Sequence, residues 1–192
     1  MMSVMRAVRD SLAVVLDIEA TSLYADYGHI LCAVVKPIDG DAIVLRLDDY
    51  HDRPTFDDSP LLADLIKILG AAPMVVGWNI DRYDLPYIRT RKMIWRAMGV
   101  ELPSATTKSY DMLRLRRKYR LHANRLGTWM DNLQAGKKTD VLPLEWRQAS
   151  YLIKDGMDYV VQHCIADVEG TERLFRVLWA YEHGLKPREV VI

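Results

Sequence analysis

Short apolar runs bounded by turn residues open the chain. LAVVLD at 12–17, HILCAVVK at 29–36 and AIVLRLD at 42–48 share a β-branched texture that predicts three strands. Tyr27-Gly28 lies in the first connection and Pro37-Ile38-Asp39-Gly40 in the second, and such turn chemistry predicts an antiparallel meander. From residue 59 the spacing becomes helical, with Leu61, Leu62, Leu65, Ile66 and Leu69 on one face and Gly70 as a stop. A fourth strand, PMVVGW at 73–78, precedes a helix that follows Pro86 and closes at Gly99. Beyond it the pattern predicts a short strand near 107–110, then the segment DMLRLRRKYR, and a helix around RLGTWMDNLQA. A loop with Gly136 and Pro143 follows, and then a final helix or helix pair from about 155 to 183. A meander followed by alternating strands and helices predicts an α/β domain with a mixed sheet flanked by helices.

Composition narrows this picture without redirecting it. With 192 residues, half of them hydrophobic, the chain is long enough for one core, and a single domain over 1–192 is expected. The 26 basic and 26 acidic residues cancel, so affinity for nucleic acid has to come from local charge placement. Cys32 and Cys164 lack both metal-ligand spacing and a disulfide framework, which reads as buried thiols in a reducing compartment. The absence of an apolar run near 20 residues predicts no membrane partner, and the expected location is cytoplasmic.

Three acidic positions stand out against this background. Asp17 and Glu19 sit two residues apart at the end of the first strand, so period-two geometry turns both carboxylates to the same side. A charge among buried neighbours calls for a compensating cation, although a turn acid explains the pair equally well. In GWNIDRYDLPYI a strand runs into a helix start, a common place for site residues, but there Asp81 and Asp84 compete and either would serve as a helix cap. Asp167 follows His163 by four residues, which places both on one helix face at the margin of the apolar stripe. A solvated helical pair is the plain alternative.

Taken in chain order, these segments resemble the three motifs of the DEDD (DnaQ-like) 3′-5′ exonuclease family. VVLDIEATSL is similar to the first motif, GWNIDRYDLPYI to the second and HCIADVEGTERLF to the third. SYDMLRLRRKYR and RLGTWMDNLQAGKKTD resemble the intervening stretch of its phage-type branch, so the likeness spans nearly the whole chain. The resemblance implies a ribonuclease H-like fold and assigns metal binding to Asp17, Glu19, Asp84 and Asp167. Asp17 would bridge two ions, with Glu19 and Asp167 on the water side and Asp84 on the other. It further implies two divalent cations, Mg²⁺ or Mn²⁺, and His163 as the general base. The sequence departs from the family at that base: members carry Tyr with three residues before the last Asp, or His with four, whereas His163 is a His with three.

The function implied is 3′-5′ hydrolysis of single-stranded DNA by two metal ions. Its alternatives are an exoribonuclease acting on short RNA, an endonuclease of the wider group, and a non-catalytic nucleic-acid-binding relative. Residues 89–125 supply local support, with eleven Lys or Arg against the two acids Glu101 and Asp111. Arg114, Arg116, Arg117, Lys118 and Arg120 are candidates to follow a phosphate backbone, with Lys137 and Lys138 extending the path. Thr21, Leu23, Trp78, Asn79 and Tyr83 lie within or beside the motifs as candidate contacts to terminal bases, although Trp78 reads equally as core. If His163 is the base, its ordinary pKa near 6.5 predicts an acid limb of activity there.

Overall fold

A computed structural model describes residues 2–182 and 188–192. Its centre is a six-stranded mixed sheet in the order β3-β2-β1-β4-β5-β6. β1 (Val14–Ala20), β2 (Ile30–Pro37) and β3 (Ile43–Arg46) form the expected antiparallel meander. β4 (Val75–Gly77) then joins β1 in parallel, and β5 (Thr106–Asp111) joins β4 in parallel. β6 (Arg188–Val191) adds an antiparallel edge that the sequence pattern did not predict. Its short run only becomes a strand by pairing with β5.

Alternation along β1 sorts side chains between two cores. Val14, Leu16, Ile18 and Ala20 face the core formed with α2 (Ser59–Ala71) and α3 (Asp84–Ala97), together with the start of the chain. Val15 faces the opposite core, which is covered by α4 (Leu126–Asn132), α5 (Pro143–Ala149) and the long α6 (Lys154–Tyr181). Asp17 and Glu19 follow Val15 at two-residue steps and therefore aim at α6.

Several boundaries differ from the expectations. β1 continues to Ala20, so Asp17 and Glu19 lie inside the strand and not at its end, because the ladder to β2 runs on through Glu19 opposite Cys32. α3 begins at Asp84, with Pro86 inside its first turn where the missing amide is not needed. α1 (Met2–Asp10) and α5 appear where the pattern showed no helix. DMLRLRRKYR contributes a 3₁₀ turn over Met112–Arg117. The final helix ends at Tyr181, and the expected boundary at His183 lies outside the described residues.

At the end of β4 the chain folds sharply back towards β1. A Cβ at Gly77 would lie 2.1 Å from Ile80 Cγ2 and 3.0 Å from Leu16 O, so only glycine fits this approach. Asn79 follows in the left-handed region (φ 67°), which Asn tolerates better than most residues. Its amide donates to Asp111 Oδ1 at 2.8 Å, tying the turn to β5. This tight return delivers α3 to the carboxyl end of β1.

Candidate active site

Four acids from three separate parts of the chain converge beside the second half of β1. Ligand atoms of Asp17, Glu19 and Cys164 lie within 4.8 Å of one another, as do those of Glu19, His163 and Asp167. Asp84 joins from the α3 side, where its Oδ1 accepts the Ile18 amide, between Asp17 and Glu19, at 3.1 Å. The N-terminal flank of α3 uses no side-chain cap. Asp84, the first residue of α3, is therefore engaged with β1 as well as with its own backbone amide. Asp81 turns the other way, with its Oδ1 accepting from Ser109 Oγ at 2.7 Å. The two acids that competed in the sequence thus occupy different places.

Electrostatics identify the cluster as under-compensated. Burial, ahead of any other influence, pushes the Asp17 carboxyl up to about 6, opposed by the charge of Lys138 and a hydrogen bond from Cys164. Burial also raises Glu19 well above the usual carboxylate range, and the charge of Asp17 adds to it. Asp84 is raised by burial and then by Asp17. Such shifts mark a place where several negative charges share too few partners. Among the described residues, buried Asp167 Oδ1 finds no hydrogen-bond donor at all.

His163 and Asp167 face β1 from α6, and both are buried, not marginal. His163 Nε2 lies 3.8 Å from Glu19 Oε1 and 3.7 Å from Asp167 Oδ2. On the other side of the ring, Nδ1 is 2.7 Å from Thr139 Oγ1. With the proton on Nδ1 donated to Thr139, Nε2 presents its lone pair to the carboxylates. Trp146 packs edge-on against this ring at 5.1 Å between centroids. Burial and then the charge of Lys138 lower His163 to about 4. The neutral imidazole therefore persists well below pH 6.5.

The other candidates divide between the site and its surroundings. Lys138 ion-pairs with Asp167, so it enters the carboxylate cluster and does not merely extend a basic path, whereas Lys137 stays exposed. Tyr83 borders the cluster: after burial and Tyr87, the charges of Asp84, Glu19 and Asp17 raise its hydroxyl. Leu23 is 77% exposed in the loop beyond β1, next to the exposed Tyr24. Thr21 closes that loop, its Oγ1 accepting the His29 amide at 3.1 Å. Trp78 packs on Trp129 with centroids 5.3 Å apart, in the core beneath the site. Arg114 and Arg117 line a cavity next to Asp111.

Sequence reasoning missed Cys164, Thr139 and Trp146. Cys164 Sγ donates to Asp17 Oδ2 at 3.3 Å. Its position, one residue after His163 on the face toward β1, was the available signal. Thr139 lay within RLGTWMDNLQAGKKTD, a segment similar to the family but with no role attached to that residue, and Trp146 carried no signal, because its short helix has no motif.

The donor set suits hard divalent cations. Carboxylate oxygens dominate it, Asp167 Oδ1 is orphaned, and Lys138 already places one positive charge among the acids. Asp17, Glu19, Asp84 and Asp167 are the residues that would hold such ions.

A sequence profile for the RNase H superfamily matches residues 14–179. No curated protein sequence matches the chain. Among solved structures, a family B DNA polymerase from the hyperthermophilic archaeon Pyrobaculum calidifontis is similar in fold, with a TM-score of 0.68 and 15% identity. The likeness covers 88% of this chain and 24% of the polymerase, so the chain spans about a quarter of that protein's length. No described helix is long and apolar enough to cross a membrane. With its mixed sheet, its helical layers and a matching profile over most of its length, the chain belongs to the RNase H superfamily.

Proposed function

We propose that this chain is a metal-dependent 3′-5′ exonuclease of the DEDD (DnaQ-like) type, phage-like branch, which hydrolyses single-stranded DNA from its 3′ end with two Mg²⁺ or Mn²⁺ ions. One observation carries the reading: Asp17, Glu19, Asp84 and Asp167 meet beside the second half of β1 with an unpartnered buried oxygen on Asp167. Membership of the RNase H superfamily supports a nuclease, as does a fold shared with part of a DNA polymerase.

When bound, divalent ions would neutralise the acids, engage the scissile phosphate and favour attack by water. The chain's own residues supply the rest. Asp17 and Glu19 project from a rigid strand, and Asp84 is locked by the Ile18 amide, so the carboxylates are held without a loop's freedom. His163 Nε2 accepts the proton of the attacking water while Nδ1 stays anchored to Thr139. Glu19 keeps 18% of its side-chain surface, which marks the open mouth of the site. Leu23 and Tyr83 flank that mouth as surfaces for the terminal bases.

A second reading rests on Lys138. If its ammonium is a permanent counterion to Asp167, the chain binds nucleic acid without cutting it.

A time course on 5′-labelled single-stranded DNA, with and without EDTA and beside a matched RNA, tests the proposal. A ladder of progressively shorter DNA products that chelation abolishes is the expected result. Intact strands in Mn²⁺ that are still retarded in a gel support the binding reading instead. Preferential degradation of RNA reassigns the substrate, and cutting of circular single strands makes the protein an endonuclease.

A further inference from the structure

Beside the carboxylate cluster, at the carboxyl ends of β4 and β5, lies a cavity of about 170 Å³ lined by Arg82, Arg114, Arg116, Arg117 and Arg188. Local structure forces this arrangement. In the 3₁₀ turn after β5, Met112, Leu113 and Leu115 are buried, which leaves Arg114, Arg116 and Arg117 to face outward. Arg82 arrives from the turn after β4, and Arg188 from the edge strand β6.

Two acids also line the cavity: both oxygens of Asp111 and one of Asp81 accept hydrogen bonds, and among the described residues the remaining oxygen, Asp81 Oδ2, has no hydrogen-bond donor and faces Arg188. Asp111 accepts the amides of Asn79, Asp81 and Leu113 at 2.8, 3.3 and 2.9 Å. Asp81 accepts from Ser109 and lies 3.8 Å from Arg188. Among the described residues, the guanidinium groups of Arg82, Arg116 and Arg117 have no ion-pair partner. A cavity with five guanidinium groups around it and only two carboxylates carries a surplus of positive charge whose mutual repulsion an anion would relieve. Guanidinium groups pair bidentately with phosphate oxygens, so phosphate is the matching chemistry.

We propose that this arginine cavity holds a backbone phosphate of the substrate strand, a few nucleotides from the end being cut. The identity of the polyanion rests on the nuclease reading; the phosphate chemistry rests on the cavity alone. Position favours the strand as the source. Asp111, which lines the cavity, adds to the charge felt by Asp84, so the cavity and the carboxylate cluster are neighbours. A strand whose terminal phosphate lies among acids and metal ions would find here the positive ground for its next phosphates.

Binding in EDTA, read by fluorescence anisotropy across a salt series, tests this without requiring turnover. For a labelled 20-nucleotide single strand, Arg82→Ala/Arg116→Ala is expected to weaken binding roughly tenfold near 0.1 M salt. The slope of log K against log salt should fall by about 1.4, at ~0.7 for each phosphate of a single strand that is no longer neutralised. Arg82→Lys/Arg116→Lys keeps the charge and should retain most of the slope. Unchanged affinity and slope in the alanine variant overturn the proposal, whether or not the wild type cleaves DNA. Nucleoside 5′-monophosphate provides the second arm and should bind wild type and alanine variant equally. Weaker monophosphate binding by the variant with unaltered strand binding would make the cavity a site for free nucleotide and overturn the strand assignment. Absence of cleavage with the slope change intact would remove the nuclease reading and leave the cavity.

Discussion

Two buried acidic sites in this molecule behave in opposite ways. Asp58 has no exposed surface, yet its carboxylate is fully served: Arg91 reaches it with Nε and Nη2, Trp95 Nε1 donates at 2.6 Å, and the Ile30 amide donates at 2.9 Å. That one anion ties β2 and α3 to the segment that leads into α2. The cluster of Asp17, Glu19, Asp84 and Asp167 is also deep, but it has one lysine for four acids and an oxygen without a donor. A buried charge with its complement in place holds a fold together, whereas a buried charge lacking one holds room for something else.

Breaking each site separates the two roles. Asp17→Asn is expected to lower the rate of strand shortening by ~10³-fold or more, since ion-held charge stabilisation amounts to several kcal/mol. Its unfolding transition in EDTA should be no lower than wild type. A metal-free protein that unfolds more easily would place Asp17 with Asp58 as a structural acid. His163→Ala is expected to slow turnover by roughly 10²- to 10⁴-fold while leaving strand affinity in EDTA near wild type. A near-normal rate removes His163 from the reaction.

The reverse pattern belongs to Arg91→Ala. Stranding Asp58 without its cation should destabilise the fold by about 3–5 kcal/mol in denaturant titration. The surviving folded fraction should keep its metal affinity. A loss below about 1 kcal/mol would show that Asp58 is not the tie described above.

The smallest effect is the most diagnostic in sign. Glu19 and Asp84 have folded-state pKa values raised above those of the unfolded chain, so the folded protein holds these protons more tightly. That contribution is complete below their unfolded values and is lost as pH rises through the raised ones. His163 opposes it, because its lowered pKa adds stability as pH climbs from about 4 to 6.5. Above pH 6.5 only the acids remain. Scanning calorimetry in EDTA should therefore show Tm falling as pH rises through the raised carboxylate values, on a scale of about 2–4 °C per kcal/mol for a domain of this size. Excess Mn²⁺ should flatten the slope.

The two sites also differed in how readable they were. The meander, α2 and the long α6 followed from periodicity, because each buries one regular face of its own. β6 and α5 did not, since their short runs gain structure only from what they pack against. Strand and helix spacing put Asp17 with Glu19, and His163 with Asp167, on shared faces, but only the resemblance of their segments to the exonuclease motifs singled them out from turn or surface acids. Asp81 and Asp84 were not separable by spacing alone, because the turn set by Gly77 and Asn79 decides which of them faces β1. Lys138 reads as one more surface cation in a loop, and only the fold reveals that it reaches Asp167. Asp58 gave no signal at all, as its partners lie 28 and more residues away.

Calorimetric titration of the metal-free protein with Mn²⁺, beside Asp17→Asn and Asp167→Asn, addresses the cation site directly. Saturable binding to the wild type, with ions lost or weakened at least tenfold in both variants, is the expected outcome. Equal binding by all three proteins, or none by the wild type, would mean that the acids gathered between β1, α3 and α6 are not a metal centre.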